Sequence, residues 1–197
     1  NSIKSQKFRN FEWIVKAQPQ DREYLDKYKD ENYLNKIIYK NDNGIFQAMN
    51  QGAEKIKGKW VIFLNSGDNF YSINSLEILY ENLKNLSFDD NNLHIIGCST
   101  MVNLSAKDYY LHKPKNLNYY RKLFTYGMPA YHQSQVFSSA SIMNFKYDEN
   151  YLWHADGDLF WRLIKNGAKY TILNEVTLST FYYDGLSGKF RPIIKGK

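Results

Sequence analysis

Asp42-Asn43-Gly44-Ile45, Ala48-Met49-Asn50-Gln51-Gly52-Ala53 and Trp60-Val61-Ile62-Phe63-Leu64-Asn65-Ser66-Gly67-Asp68 together decide the fold. They describe a helix opened by glycine, a tight turn at Lys57-Gly58-Lys59, and an apolar strand ending in a polar, acidic tip. In α/β proteins, ligands bind outside the carboxyl ends of the strands. A buried strand that delivers Asp68 to that edge therefore points to a ligand of nucleotide type.

Working outward, the flanking periodicities repeat the same alternation. Phe11–Val15, Lys36–Tyr39 and Trp60–Leu64 are short β-rich runs. Between the last two, Phe46, Met49, Ala53 and Ile56 recur at three- and four-residue steps, which predicts an amphipathic helix. Asp21 to Leu34 reads as a further helix, and Ser75 to Leu86 as another, with Leu76, Leu79, Leu83 and Leu86 on one face. Beyond Asn91 the pattern loosens. His94–Cys98, Tyr109–His112 and Gln135–Ser138 predict strands, Asp156 to Lys165 a helix stopped by Gly167, and Tyr170–Leu173 and Val176–Tyr182 two late strands. The expected class is α/β: a mostly parallel sheet with helices on both faces and a less regular second half. One domain spans 1–197, with no linker or repeat dividing it. Such a sheet ordinarily opens on a strand, whereas this chain opens on a helical-looking fragment, so a missing first strand is expected.

Composition narrows the function. Hydrophobic residues at 43% and charged residues at 23% mark a globular chain rather than a disordered one. The formal charge of +6 favours anionic partners: a nucleotide diphosphate, nucleic acid or an acidic membrane surface. The competing reading of that charge is a solvated Lys-rich surface. Lysines are scattered and no nucleic-acid-binding motif is present, so nucleic acid is not an expected partner. Cys98 is the only cysteine, which excludes an intrachain disulfide and suggests a reducing, cytoplasmic location. No apolar run is long enough to span a bilayer, so any membrane contact is expected to be peripheral, aided by the Lys-containing tail Lys189–Lys197.

The quoted segments, with Asn10-Phe11-Glu12-Trp13-Ile14-Val15, Gly127-Met128-Pro129, His132-Gln133, Tyr147-Asp148 and Ala155-Asp156-Gly157-Asp158-Leu159, resemble the family 2 glycosyltransferases of the GT-A (Rossmann-like) fold. The resemblance is to bacterial members that build surface polysaccharide or lipooligosaccharide. It runs over nearly the whole chain and rests on the order and spacing of the motifs. It implies an inverting enzyme that moves a sugar from a nucleotide-sugar, a UDP-sugar by expectation, to a glycan or lipid-linked acceptor. Residues 1–90 would form the nucleotide-sugar half and residues 91–197 the acceptor half.

Residue by residue, the resemblance makes Asp156 the general base and Asp68 the ligand of a divalent Mn²⁺ or Mg²⁺. Asp42, Gly44, Asn50, Asn65, Ser66, Gly67 and Asp68 would border the nucleotide-sugar, and His132, Gln133, Trp153 and His154 the acceptor. Each has a structural alternative. Asp68 could cap the turn after its strand, Asp42 could be a turn residue, and Asp156 could serve as a helix N-cap. Asp158 competes with Asp156, and Gly44 and Gly52 suit backbone geometry better than ligand contact. Two departures from the family pattern stand out: Asn65, Ser66 and Gly67 precede a single Asp68, and the run Lys16-Ala17-Gln18-Pro19-Gln20-Asp21 lacks an acid directly after its strand. They keep two other readings open, a non-catalytic relative that binds nucleotide or glycan, and a sugar-phosphate nucleotidyltransferase.

Overall fold

Ile95 and Ile96 are both fully buried, yet they belong to two different hydrophobic cores. Neighbouring side chains of a strand point to opposite faces, so this sheet is covered on both sides. The computed structural model describes residues 2–29, 34–87, 92–105, 107–123 and 127–182. Strands β1 (Trp13–Ala17) and β2 (Leu34–Tyr39) pair in parallel as a small separate sheet. The larger sheet holds β3 (Trp60–Ile62), β4 (Asn69–Phe70), β5 (His94–Ser105), β6 (Asp108–His112), β7 (Gln135–Ser138) and β8 (Lys169–Tyr182). Its order is β3-β7-β5-β8-β4, with β6 pairing on the later part of β5.

The helices are α1 (Arg22–Leu25), α2 (Ile45–Ala53), α3 (Ser75–Lys84), α4 (Leu117–Leu123), α5 (Ser139–Asn144) and α6 (Ala155–Lys165). Leu76, Leu79 and Leu83 of α3 pack with Ile96, Val136 and Leu178 on one face. Leu159, Phe160 and Leu163 of α6, with Met49 of α2, pack against Ile95 and Phe137 on the other. That is the α/β class the periodicities predict, with α2, α3 and α6 where their apolar stripes put them.

Strand direction is corrected. The sheet is mixed rather than mostly parallel: β5–β8 is parallel, whereas β3–β7, β5–β7, β4–β8 and β5–β6 are antiparallel. β3, β5 and β8 do share one direction, and β7 runs against all three as it inserts between β3 and β5. Periodicity of two marks a strand but carries no direction. A second correction concerns Asp21 to Leu34. It is broken into a 3-10 turn at Pro19–Asp21, the single turn α1, and another 3-10 turn at Asp26–Tyr28. None of these pieces buries a residue, and without a packed face a short helix does not propagate. Instead Asp26 accepts a hydrogen bond from the Tyr39 hydroxyl at 2.6 Å and pairs with Lys29 at 2.7 Å. The two late strands are one, β8, whose register shifts opposite Cys98–Thr100. The tail Lys189–Lys197 lies outside the described residues.

Candidate active site

The carboxyl end of β3 leads into a turn in which the Asp68 N–H donates to the Asn65 carbonyl at 3.0 Å. Gly67 makes that turn possible by adopting a φ of 98°, a region closed to most side chains. Burial pushes the Asp68 carboxyl up to about 6, against the opposing pull of a hydrogen bond that the carboxylate accepts from the Asn65 backbone. The Gln133 side-chain amide donates to Asp68 Oδ1 at 3.4 Å. Asp68 forms no ion pair among the described residues.

Gln133 belongs to the 3-10 turn His132–Ser134 that feeds β7. The preceding residue carries the site toward α6. His132 Nε2 lies 2.8 Å from the Tyr147 hydroxyl, and the imidazole stacks on Phe63 with ring centroids 6.0 Å apart. Burial lowers the His132 pKa while the charge of Asp156 acts in the opposite direction. Burial, reinforced by Asp156, raises the Tyr147 phenol well above its ordinary value. Asp156 therefore faces this pair closely enough for both to feel its charge. Of the two carboxylates that sequence reasoning singled out, Gln133 thus touches Asp68, and His132 feels the charge of Asp156.

Asp156 sits in the first turn of α6 and accepts from the Gly157 N–H at 3.0 Å. The cap position belongs to His154 rather than Asp156. His154 takes a left-handed φ of 65°, unusual outside glycine and asparagine. This bend turns the loop Tyr151–Trp153 into the helix, leaving Leu152 82% and Trp153 52% exposed. Trp153 is accordingly no core residue. Asp158 is engaged elsewhere: Arg162 Nε donates to it at 2.7 Å and Arg162 also holds the Lys146 carbonyl.

On the other side of the site, Asp42 is tied down. Lys16 Nζ meets its Oδ2 at 2.5 Å with both side chains nearly buried, and the Gly44 N–H donates to Oδ1 at 3.2 Å. Lys16 comes from the very run that lacks a family acid, and it supplies a cation to Asp42 instead. Gly44 opens α2 with a φ of 153° and no side-chain cap. Asn50 is directed inward. Its amide brackets the backbone N–H and carbonyl of Tyr147, both at 2.9 Å, and donates to Glu149 at 2.9 Å. Beside it opens a cavity of about 270 Å³ lined by Gly44, Phe46, Gln47, Glu149, Tyr151 and Leu152. Sequence reasoning quoted Tyr147 and Phe63 within family-like segments without giving either a role, and it did not place Lys16 or Glu149 in the site. The available signal was the polar pair Asn50-Gln51 within the buried part of α2.

Among the described residues no group of three His, Cys, Asp or Glu gathers around a cation position. The donor set of Asp68 nonetheless suits a hard divalent ion. It offers a half-buried carboxylate with no basic partner among the described residues, and the remaining positions would fall to phosphate oxygens and water.

The model of the family "Glycosyl transferase family 2" matches residues 1–162. No curated protein matches the chain. Among solved structures, S. aureus TarS 1-349 in complex with UDP-GlcNAc superposes with a TM-score of 0.69 at 15% identity, covering 98% of this chain and 56% of that one. TarS 1-349 in complex with UDP gives 0.67 at 14% identity over 92% and 54%. Longer TarS gives 0.65 at 15% identity, covering 92% of this chain and 33% of that one. The chain spans about half of TarS 1-349, and at these identities the likeness is one of fold.

Proposed function

The chain belongs to glycosyl transferase family 2, and we propose that it transfers a sugar from a nucleotide-sugar donor to an acceptor hydroxyl with inversion at the anomeric carbon. The observation that carries this reading is that Asp68 and Asp156 each lack an ion pair among the described residues while adjacent residues answer to them: the Gln133 amide donates to Asp68 at 3.4 Å, and the charge of Asp156 acts on His132. Asp156 accepts the proton of the acceptor hydroxyl as its oxygen attacks. The rigid seat of α6, anchored through Leu159, Phe160 and Leu163, keeps that carboxylate in line. Asp68 faces the diphosphate end of the donor. Asp68 with its turn residues Asn65, Ser66 and Gly67 would hold a divalent Mn²⁺ or Mg²⁺, whose contribution there would be Lewis-acid neutralisation of the leaving diphosphate.

A UDP-sugar is the proposed donor, supported by TarS complexes with UDP and UDP-GlcNAc on the same fold. The acceptor side is formed by His132, Gln133, His154 and the exposed Trp153, whose ring offers a stacking face for a sugar. The acceptor is a glycan or lipid-linked saccharide of a bacterial surface polymer. No helix among the described residues is long and apolar enough to cross a membrane. The net charge of +6 suits peripheral contact with an anionic membrane at the cytoplasmic face. Vesicle co-sedimentation that is indifferent to anionic lipid would remove that element.

A second reading has its own observation. Both oxygens of Asp42 are engaged by Lys16 and Gly44, and a single carboxylate stands where relatives gather several. A non-catalytic relative would bind donor without turnover. Calorimetric titration of UDP-, GDP- and dTDP-sugars, with and without Mn²⁺, followed by assay of donor consumption, separates the two. Metal-dependent binding with turnover supports the transferase. Binding without turnover supports the second reading, and no binding defeats both.

A further inference from the structure

The most densely tied group near Asp156 is Tyr147, a residue that the proposed reaction does not itself use. Its backbone is bridged on both sides by the Asn50 amide, at 2.9 Å to the N–H and 2.9 Å to the carbonyl. Asn50 is 4% exposed and Tyr147 3%, so neither group has water as an alternative partner. The Tyr147 ring is wedged between Phe46, stacked at 5.6 Å, and the edge-on Phe63 at 5.4 Å. Backbone and ring being fixed, the hydroxyl has a determined direction, and there it meets His132 Nε2 at 2.8 Å. Phe63 also stacks on the imidazole, so one aromatic ring braces both partners.

A phenol is a far better donor than a neutral imidazole, and which ring nitrogen carries the proton follows from the hydrogen bond made by the other. We propose that Tyr147 is a positioning residue for the transfer reaction: anchored by Asn50, it donates to His132 Nε2 and so holds His132 as the neutral, Nδ1-protonated tautomer beside Asp156. This rests on reading Asp156 as the base. A neutral ring leaves the charge of Asp156 uncancelled and available to the acceptor proton, whereas an imidazolium would compete for it as an ion-pair partner. The burial that disfavours a charged His132 works in the same direction. Asn50, expected from sequence to touch the nucleotide, then acts on the acceptor side through Tyr147.

The chain has four histidines, His94, His112, His132 and His154, so long-range ¹H–¹⁵N spectra of the whole protein can resolve each ring. His132 is assigned by the signals lost in His132→Gln. The expected wild-type pattern is an unprotonated, hydrogen-bonded Nε2 and a protonated Nδ1. Tyr147→Phe keeps the ring and removes only the hydroxyl, so the His132 pattern should move toward Nε2 protonation. UDP-sugar affinity should change by less than about twofold while donor turnover falls by about tenfold or more. A wild-type His132 protonated on Nε2, or ring signals identical in Tyr147→Phe, would overturn the proposal. The wild-type spectrum decides the matter even if the variant fails to fold. Should no nucleotide-sugar bind the wild type, the transferase reading falls, and the tautomer still tests the lock independently.

Discussion

The two sides of the site solve the same electrostatic problem alike and then diverge. On the proposed donor side, Asp42 is neutralised by Lys16 and Asp68 is left without an ion pair among the described residues. On the proposed acceptor side, Asp158 is neutralised by Arg162 and Asp156 is likewise left. The divergence lies in how the unpaired acid is kept. Asp68 is half-buried with a neutral amide for company, and burial raises its carboxyl to about 6. Asp156 sits at a helix start, where the dipole favours a negative charge, and it imposes its field on His132 and Tyr147. The lesson is that a carboxylate's job is set by what its neighbours withhold. A paired acid holds structure, whereas an unpaired one is left available, to a cation in the role proposed for Asp68 and to a proton in that proposed for Asp156.

The largest expected effect breaks the acceptor side. Asp156→Asn should reduce transfer by about a thousandfold, with donor affinity retained in calorimetry. Transfer at wild-type rate would end its assignment as base. Next comes the paired acid of the donor side. Lys16→Met leaves the Asp42 carboxylate buried and uncompensated, and should cost about 3 kcal/mol in chemical unfolding. Adding Asp42→Asn should recover most of that loss, as a double-mutant cycle would register; two strictly additive losses would mean that the ion pair is idle.

Asp68 sharpens the comparison through pH. A carboxyl raised in the folded state favours folding while protonated, and that contribution is lost as pH rises through about 6. Asp68→Asn should therefore raise the thermal midpoint at pH 8 and leave it nearly unchanged at pH 4. Mn²⁺-assisted donor binding should show the complementary trend in the wild type, weakening as pH falls below about 6, and should drop by about tenfold in Asp68→Asn. A midpoint lowered at pH 8 would argue that Asp68 is a structural cap. The smallest effect belongs to Asp158→Asn, which removes an i,i+4 pair and should cost about 0.5 kcal/mol while transfer persists. Loss of transfer there would reverse the roles of the two acids.

Much of this was legible in the chain. The stripes of α2, α3 and α6 and the strand β7 (Gln135–Ser138) were readable because apolar spacing encodes which face is buried. Asp68 and Asp156 were readable as acids at the ends of such elements. The segment after Asp21 was misread because helix-favouring residues without an apolar face lack the packing that sustains a helix.

By itself, then, the sequence determined an α/β chain with two covered faces and acids presented at element ends, which follow from local periodicity, and its likeness to this family, which rests on the order and spacing of its motifs. Tertiary structure alone decided strand direction, the Lys16–Asp42 pair, the release of Asp156 from the basic partner that Asp158 takes, and the inward turn of Asn50 to Tyr147. The physical reason is separation. Lys16 and Asp42 stand 26 residues apart and Asn50 and Tyr147 97 apart, and the identity of a partner that distant is written only in the packed chain.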